Sequence, residues 1–209
     1  MTTRRLIPVV GFVLGVCTQA HAADTLVPTE KLPTYTVCMD CHGPIGDSVK
    51  PSVPRLNGQQ AEYLKKRLND FHFPGSQDPH ATEAMWSVVE AKGDEELNEI
   101  AEYYARQPRM TAQRGRPLAE QGRRIYENGN AASYVPACSG CHGAEGEGRG
   151  AVPRLAGQHA LYLTNQLERM RLNLRASDVM HPKTNSMTDK EIEALVAYLA
   201  GDETSKQQK

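Results

Sequence analysis

Two copies of one pattern, Cys38-Met39-Asp40-Cys41-His42-Gly43 and Cys138-Ser139-Gly140-Cys141-His142-Gly143, lie 100 residues apart and constrain this chain more than any other feature. They open a longer match. Pro54-Arg55-Leu56-Asn57-Gly58-Gln59 corresponds to Pro153-Arg154-Leu155-Ala156-Gly157-Gln158, and Tyr63-Leu64 to Tyr162-Leu163. Near each unit's end, Glu96-Leu97 and Tyr103 correspond to Glu191-Ile192 and Tyr198. The order is kept and the gaps differ by only a few residues, so the chain is a tandem repeat. Two domains are predicted, 23–108 and 118–209. The linker, 109–117, falls in a polar, basic stretch flanked by Pro108 and Pro117.

Within each unit the apolar residues follow a helical period. Leu64, Leu68 and Phe71 recur at i, i+4, i+7, as do Leu163, Leu167 and Met170. Leu97, Ile100, Ala101 and Tyr104 mark a second amphipathic helix, with Ile192, Leu195, Val196 and Leu199 as its counterpart. Thr188 with Glu191 predicts a capping box at that helix start. A further helix, about Leu118 to Asn128, precedes the second motif; Pro28 and Pro33 interrupt its equivalent in the first domain. No alternating strand pattern of any length is present. The predicted fold class is all-α. Only 6% of the residues are aromatic, and a small domain with so few buries a modest core. A prosthetic group in each unit would supply the missing apolar surface.

C-x-x-C-H is the signature of covalent haem attachment. Two thiols add to the two vinyl groups, and a two-residue spacer on a helical turn sets the sulfurs at the vinyl separation. The next residue, a histidine, ligates the iron. Cys38, Cys41, Cys138 and Cys141 are therefore the predicted thioether residues of two covalently bound haem c groups, and His42 and His142 the proximal ligands. A redox-active or disulfide-bonded CxxC would be expected in a βαβ setting, which the periodicity lacks. A shared zinc site would need pairs that sit in separate repeat units to meet.

The second axial ligand is less directly written. Met39 lies inside a CxxCH motif, Met110 in the linker, and Met170 on an apolar helix face. Measured back from the final helix of each unit, Met85 stands 12 residues before Leu97, and Met180 stands 12 before Ile192. That shared place selects Met85 and Met180. Met187, which aligns with Lys92, remains an alternative, as do nearby histidines. Of these, His72, His80 and His181 have no equivalent in the other repeat, and His159 matches Gln60. Pro54 and Pro153 suit a backbone carbonyl accepting from the proximal imidazole, which would fix its tautomer. Arg55 and Arg154 suit the haem propionates.

The N-terminus reads as an export signal. Arg4 and Arg5 precede an apolar stretch, Leu6 to Val16, and Ala20-His21-Ala22 offers a small-x-small site, so cleavage is expected after Ala22. That removes residues 1–22 with Cys17, leaves 187 of the 209 residues, and moves the formal charge from −1 to −3. The near-neutral total excludes a strongly basic nucleic-acid binder. It also hides a split: residues 23–108 carry −6 and residues 109–209 carry +3. Donor and acceptor are expected to dock at opposite ends, steered by opposite potentials.

With both CxxCHG motifs, two PRLxGQxxxYL blocks and two methionine-then-helix endings, the sequence resembles the dihaem cytochrome c4 family, built from two class I cytochrome c domains. Pro136-Ala137-Cys138 to Gly148, followed by Pro153-Arg154-Leu155, is especially similar to that family's second domain. The resemblance implies His/Met ligation of each haem and periplasmic electron transfer without catalysis. A quinol–cytochrome c reductase or a dehydrogenase would be the donor and a terminal oxidase the acceptor. Any membrane association would be peripheral, through those partners. A dedicated electron-transfer subunit of a periplasmic dehydrogenase is the alternative, and a dihaem peroxidase a more distant one. Two departures stand out: the proline-containing start of the first domain, and its loop Pro44-Ile45-Gly46-Asp47-Ser48, which is poorer in glycine than the family pattern.

Overall fold

The helical period translates into helices with the expected faces inward. The computed structural model describes residues 32–72, 79–175 and 177–201, so the expected signal segment lies outside the described residues. In chain order the elements are α1 (Leu32–His42), α2 (Ala61–His72), α3 (Pro79–Val89) and α4 (Asp94–Ala105). Then come α5 (Ala119–Asn128), a 3-10 turn (Ala131–Ser133), α6 (Ser139–His142), α7 (Ala160–Arg171), α8 (His181–Thr184) and α9 (Asp189–Leu199). Among the described residues strands are absent, and only isolated bridges such as Ala112 with Gly201 occur.

Two cores form, one per repeat. In the first, Leu64 of α2 and Leu97 and Ile100 of α4 pack with Tyr35, Tyr103 and Tyr104. Tyr103 meets both other rings edge-on at 5.1 Å. In the second, Leu163 of α7 and Ile192, Leu195 and Leu199 of α9 pack with Tyr126. There α5 crosses α9 so closely that a Cβ on Gly122 would fall on the carbonyl of Ala194. Only glycine permits that approach.

Pro33 does not break the first-domain helix. It is the second residue of α1, in the first turn, where a missing N–H has no intrahelical partner to lose. The first CxxCH therefore ends an eleven-residue helix, whereas the second sits on the single turn of α6. The glycine-poor loop after the first motif also folds like its counterpart. Gly46 and Gly146 both take positive φ, +82° and +76°. The carbonyl of Gly46 accepts from the N–H groups of Leu56 and Asn57 at 2.8 and 3.2 Å, and that of Gly146 from Leu155 and Ala156 at 2.7 and 3.0 Å. Both loops place a left-handed glycine at this point, and the second adds Gly148 at +68° where the first has Ser48.

The segment expected as a linker is laid against the second core. Gln113 N–H donates to Ala200 O at 2.8 Å, and the Arg114 guanidinium stacks 4.9 Å over the Tyr198 ring while pairing with Glu145.

The capping box is present at α9, and Glu191 extends it. Its Oε2 accepts from the Thr188 N–H at 2.7 Å and the Thr188 hydroxyl at 2.8 Å. Its Oε1 accepts from Asn130 Nδ2 at 2.6 Å and from the Ser133 hydroxyl. One carboxylate thus ties α9 to the turn that leads into the second CxxCH. Burial pushes this carboxyl up, but the hydrogen bonds from Ser133, Thr188 and Asn130 outweigh it and hold it below the usual range. The charged form is the one stabilised. Its contribution is complete above the unfolded carboxyl value, about 4.3, and is lost as pH falls through the lower folded value. Glu191→Gln is expected to cost about 1–3 kcal/mol at neutral pH and to flatten the acid limb below about pH 4. Denaturant titrations at pH 7 and pH 3 check both effects.

Candidate haem sites

Each CxxCH motif presents its histidine inward. His42 and His142 are buried, at 7% and 5% exposure. His42 Nδ1 lies 2.8 Å from Pro54 O, and His142 Nδ1 lies 2.9 Å from Pro153 O. A carbonyl only accepts, so Nδ1 carries the proton in both rings and Nε2 is left with its lone pair. Burial holds both imidazoles below the ordinary histidine range, against the smaller opposing effect of the proline carbonyl, so both are neutral at pH 7. A neutral imidazole with a fixed tautomer is the form that ligates a metal.

The thiols flank these rings. All four are free. Cys38 and Cys138 are half-buried against the first and second core, while Cys41 and Cys141 are exposed. Burial pushes the Cys38 thiol up and the Cys138 thiol up to about 11. Redox-active CxxC pairs need the opposite shift. Among the described residues no cluster of three or more His, Cys, Asp or Glu side chains is placed to hold a metal ion. A CxxC thiol pair followed by a buried imidazole whose Nε2 lone pair is left open fits a haem held by two thioethers and one imidazole.

The expected distal residues sit in unlike settings. Met85 lies within α3, half-buried against the first core. Met180 lies in the turn just before α8. Its N–H donates to the Ser177 hydroxyl at 3.0 Å, and its carbonyl accepts from the Thr184 hydroxyl at 2.9 Å. Met187 is 5% exposed and packs inside the second core. The loop after each motif is pinned by a tyrosine: Tyr103 donates to Pro44 O at 2.9 Å and Tyr126 to Gly143 O at 2.5 Å.

Arg55 and Arg154, expected at the haem propionates, meet at a seam between the two repeats. Arg55 N–H donates to Gln158 Oε1 at 2.9 Å, and Gln158 Nε2 donates back to Arg55 O at 3.0 Å. The other half repeats the exchange: Arg154 N–H to Gln59 Oε1 at 2.7 Å, and Gln59 Nε2 to Arg154 O at 2.9 Å. The Arg154 guanidinium then spans carbonyls of Gly58 (3.1 Å), Met110 (2.8 Å), Asn57 (2.7 Å) and Ala156. Arg55 donates to Gly157 O at 2.8 Å. Further across the seam, His159 Nε2 meets Ser48 O at 2.9 Å, and Arg175 donates to the Tyr63 hydroxyl at 3.0 Å. Sequence reasoning singled out the arginines and missed the glutamines. The signal was there: a glutamine closes each copy of the repeated block. Burial, and then the nearby Arg109 and Arg55 cations, lower Arg154 to about 10. Three guanidiniums thus gather at the seam, a place that favours an anion.

The comparisons with known proteins agree with this construction. The cytochrome c family profile matches residues 119–201. Cytochrome c4 of Thiocapsa roseopersicina is 40% identical over 171 residues, which cover 79% of this chain and 86% of that protein. The thiosulfate dehydrogenase electron acceptor of Stutzerimonas stutzeri (strain A1501) is 34% identical over 176 residues, 80% of each chain. The solved structure of Acidithiobacillus ferrooxidans cytochrome c4 superposes with a TM-score of 0.74 at 32% identity, covering 79% of this chain and 98% of that one. The all-α fold, the duplicated CxxCH sites and these relatives place the chain in the cytochrome c4 family, electron carriers that hold two covalently attached haem c groups.

Proposed function

We propose that this carrier works in the periplasm after cleavage at Ala22, and that its two haems are held one per domain, in 23–108 and 118–209. Cys38 and Cys41 would form the thioethers of the first, with His42 and Met85 holding its iron. Cys138 and Cys141 would form those of the second, with His142 and Met180 holding its iron. Each haem, when bound, supplies a one-electron redox centre. The chain's own residues do the rest. Pro54 and Pro153 hold the proximal rings in one tautomer and make them better donors. Ligation by Met85 and Met180 would leave each iron no position for substrate and would raise its potential. The clustered Arg55, Arg109 and Arg154 favour propionates at the seam between the domains.

The observation that carries this reading is the matched pair of buried imidazoles, each donating Nδ1–H to a proline carbonyl. A high potential suits delivery to a terminal oxidase from a quinol–cytochrome c reductase or a dehydrogenase. The likeness to a thiosulfate dehydrogenase electron acceptor favours a second reading, in which one periplasmic dehydrogenase is the dedicated donor. Stopped-flow mixing separates the two. A general carrier is reduced rapidly by the reductase complex; a dedicated subunit is reduced rapidly only by its dehydrogenase. Turnover with hydrogen peroxide would contradict both.

The acidic and basic halves lead to a further expectation. Association with a charged partner should slow by about tenfold or more as salt rises from low to several hundred millimolar, because screening removes the steering potential. Rates that ignore ionic strength would remove electrostatic docking from the account.

A further inference from the structure

Two histidines that ligate nothing in this account tie the methionine-bearing segments to the rest of each domain. In the first domain His72 ends α2, and its Nε2 lies 2.5 Å from the carbonyl of Val89, the last residue of α3. Val89 is one helical turn beyond Met85 and is 1% exposed. In the second domain His181 directly follows Met180, and its Nδ1 lies 2.7 Å from the carbonyl of Met170, near the end of α7. Both acceptors are carbonyls in the last turn of a helix, each also taking a main-chain N–H from beyond the helix, Lys92 to Val89 O at 2.9 Å and Asn173 to Met170 O at 3.2 Å, and a carbonyl only accepts. Each ring nitrogen must therefore be the donor.

The two contacts fall at the same point of the fold. Phe71 is the repeat equivalent of Met170, so His72 stands one residue past the place where His181 lands. The direction is reversed. In the first domain the imidazole is on the scaffold helix and the carbonyl on the segment with the methionine; in the second the imidazole is on that segment and the carbonyl on the scaffold. This reversal explains why neither histidine has a histidine partner in the repeat. The second domain adds a further tie: Arg171, the equivalent of His72, donates to Met187 O at 3.0 Å.

We propose that His72 and His181 are positioning residues that hold Met85 and Met180 against their irons, an inference that rests on the axial assignment above. An exogenous ligand such as imidazole binds ferric iron only by displacing the methionine and lifting its segment. A donor that ties the segment down therefore opposes displacement.

The test uses the full holoprotein with His72→Phe and His181→Phe, which keep ring volume and remove the donor. Imidazole is titrated against the ferric form, and loss of the far-red methionine–iron band is followed. His72→Phe should bind imidazole at its own haem about fivefold to tenfold more tightly, the effect of one lost hydrogen bond. His181→Phe should show about a twofold to threefold gain, because Arg171 still holds the segment. His72→Gln and His181→Asn place an amide N–H where Nε2 and Nδ1 were, and should restore most of the wild-type resistance. The proposal is overturned if the Phe variants lose thermal stability while imidazole affinity stays unchanged, or if the amide variants rescue nothing. Met85→Ala and Met180→Ala tell the two claims apart. If those variants leave the far-red band intact, the axial assignment has failed and the positioning role falls with it.

Discussion

Met180→His is expected to lower the midpoint potential of the second haem by on the order of 0.2 V, within the span of roughly 0.8 V that axial ligands control, and to abolish its far-red band. Imidazole is a stronger donor than a thioether and stabilises ferric iron, so the direction follows from chemistry alone. Met85→His should do the same at the first haem and leave the second untouched. Met187 is the control. It is buried in the second core, so Met187→Leu should change neither potential nor spectrum and should cost less than about 1.5 kcal/mol, as volume-conserving core exchanges do. Potentiometric titration resolves the two waves. A fall in potential with Met187→Leu, and none with Met180→His, would reverse the ligand assignment in the second domain.

The other large effect concerns the seam. Arg154→Ala removes donors from the carbonyls of Asn57, Gly58, Met110 and Ala156, and Arg154 itself is only 5% exposed. Each buried acceptor left without a partner costs about 1–3 kcal/mol. Some will find water at an opened seam, so a net loss of about 3–5 kcal/mol is expected, with a Tm fall of roughly 6–20 °C for a chain of this size. Lysine should not rescue it, because a single ammonium cannot fan donors over four carbonyls. The character of the transition should change too. The reciprocal Arg–Gln exchange runs through main-chain groups and survives the substitution, but the guanidinium's bonds to Asn57 and Gly58 also join the two halves, so their loss should split one calorimetric transition into two. A single transition at an unchanged Tm would mean that the seam contributes no coupling.

These expectations show where the sequence was informative. The packing helices were legible because Leu64, Leu97, Leu163 and Ile192 repeat at helical spacing and the cores select that face. Thr188 and Glu191 announced the start of α9 because a capping box is local chemistry. The offset that pairs Met85 with Met180 was legible because duplication preserves distance to the following helix. What it hid was their setting, α3 in one domain and a turn in the other, since the chain between scaffold helix and methionine differs between repeats. The seam was hidden for a different reason. Arg55 and Gln59 look like solvated side chains until a second domain covers them, and nothing local to the PRLxGQ blocks says that they face each other. Pro33 misled because its effect depends on register: one turn deeper it would have broken α1, but in the first turn it costs nothing.

The most direct test of the account is near-infrared magnetic circular dichroism of the ferric holoprotein, with haem counted per chain. Two haems per chain are expected, both low-spin, each with the charge-transfer band of His/Met ligation and with equal intensity. A bis-histidine band at either site, or high-spin ferric iron in the resting protein, would contradict it.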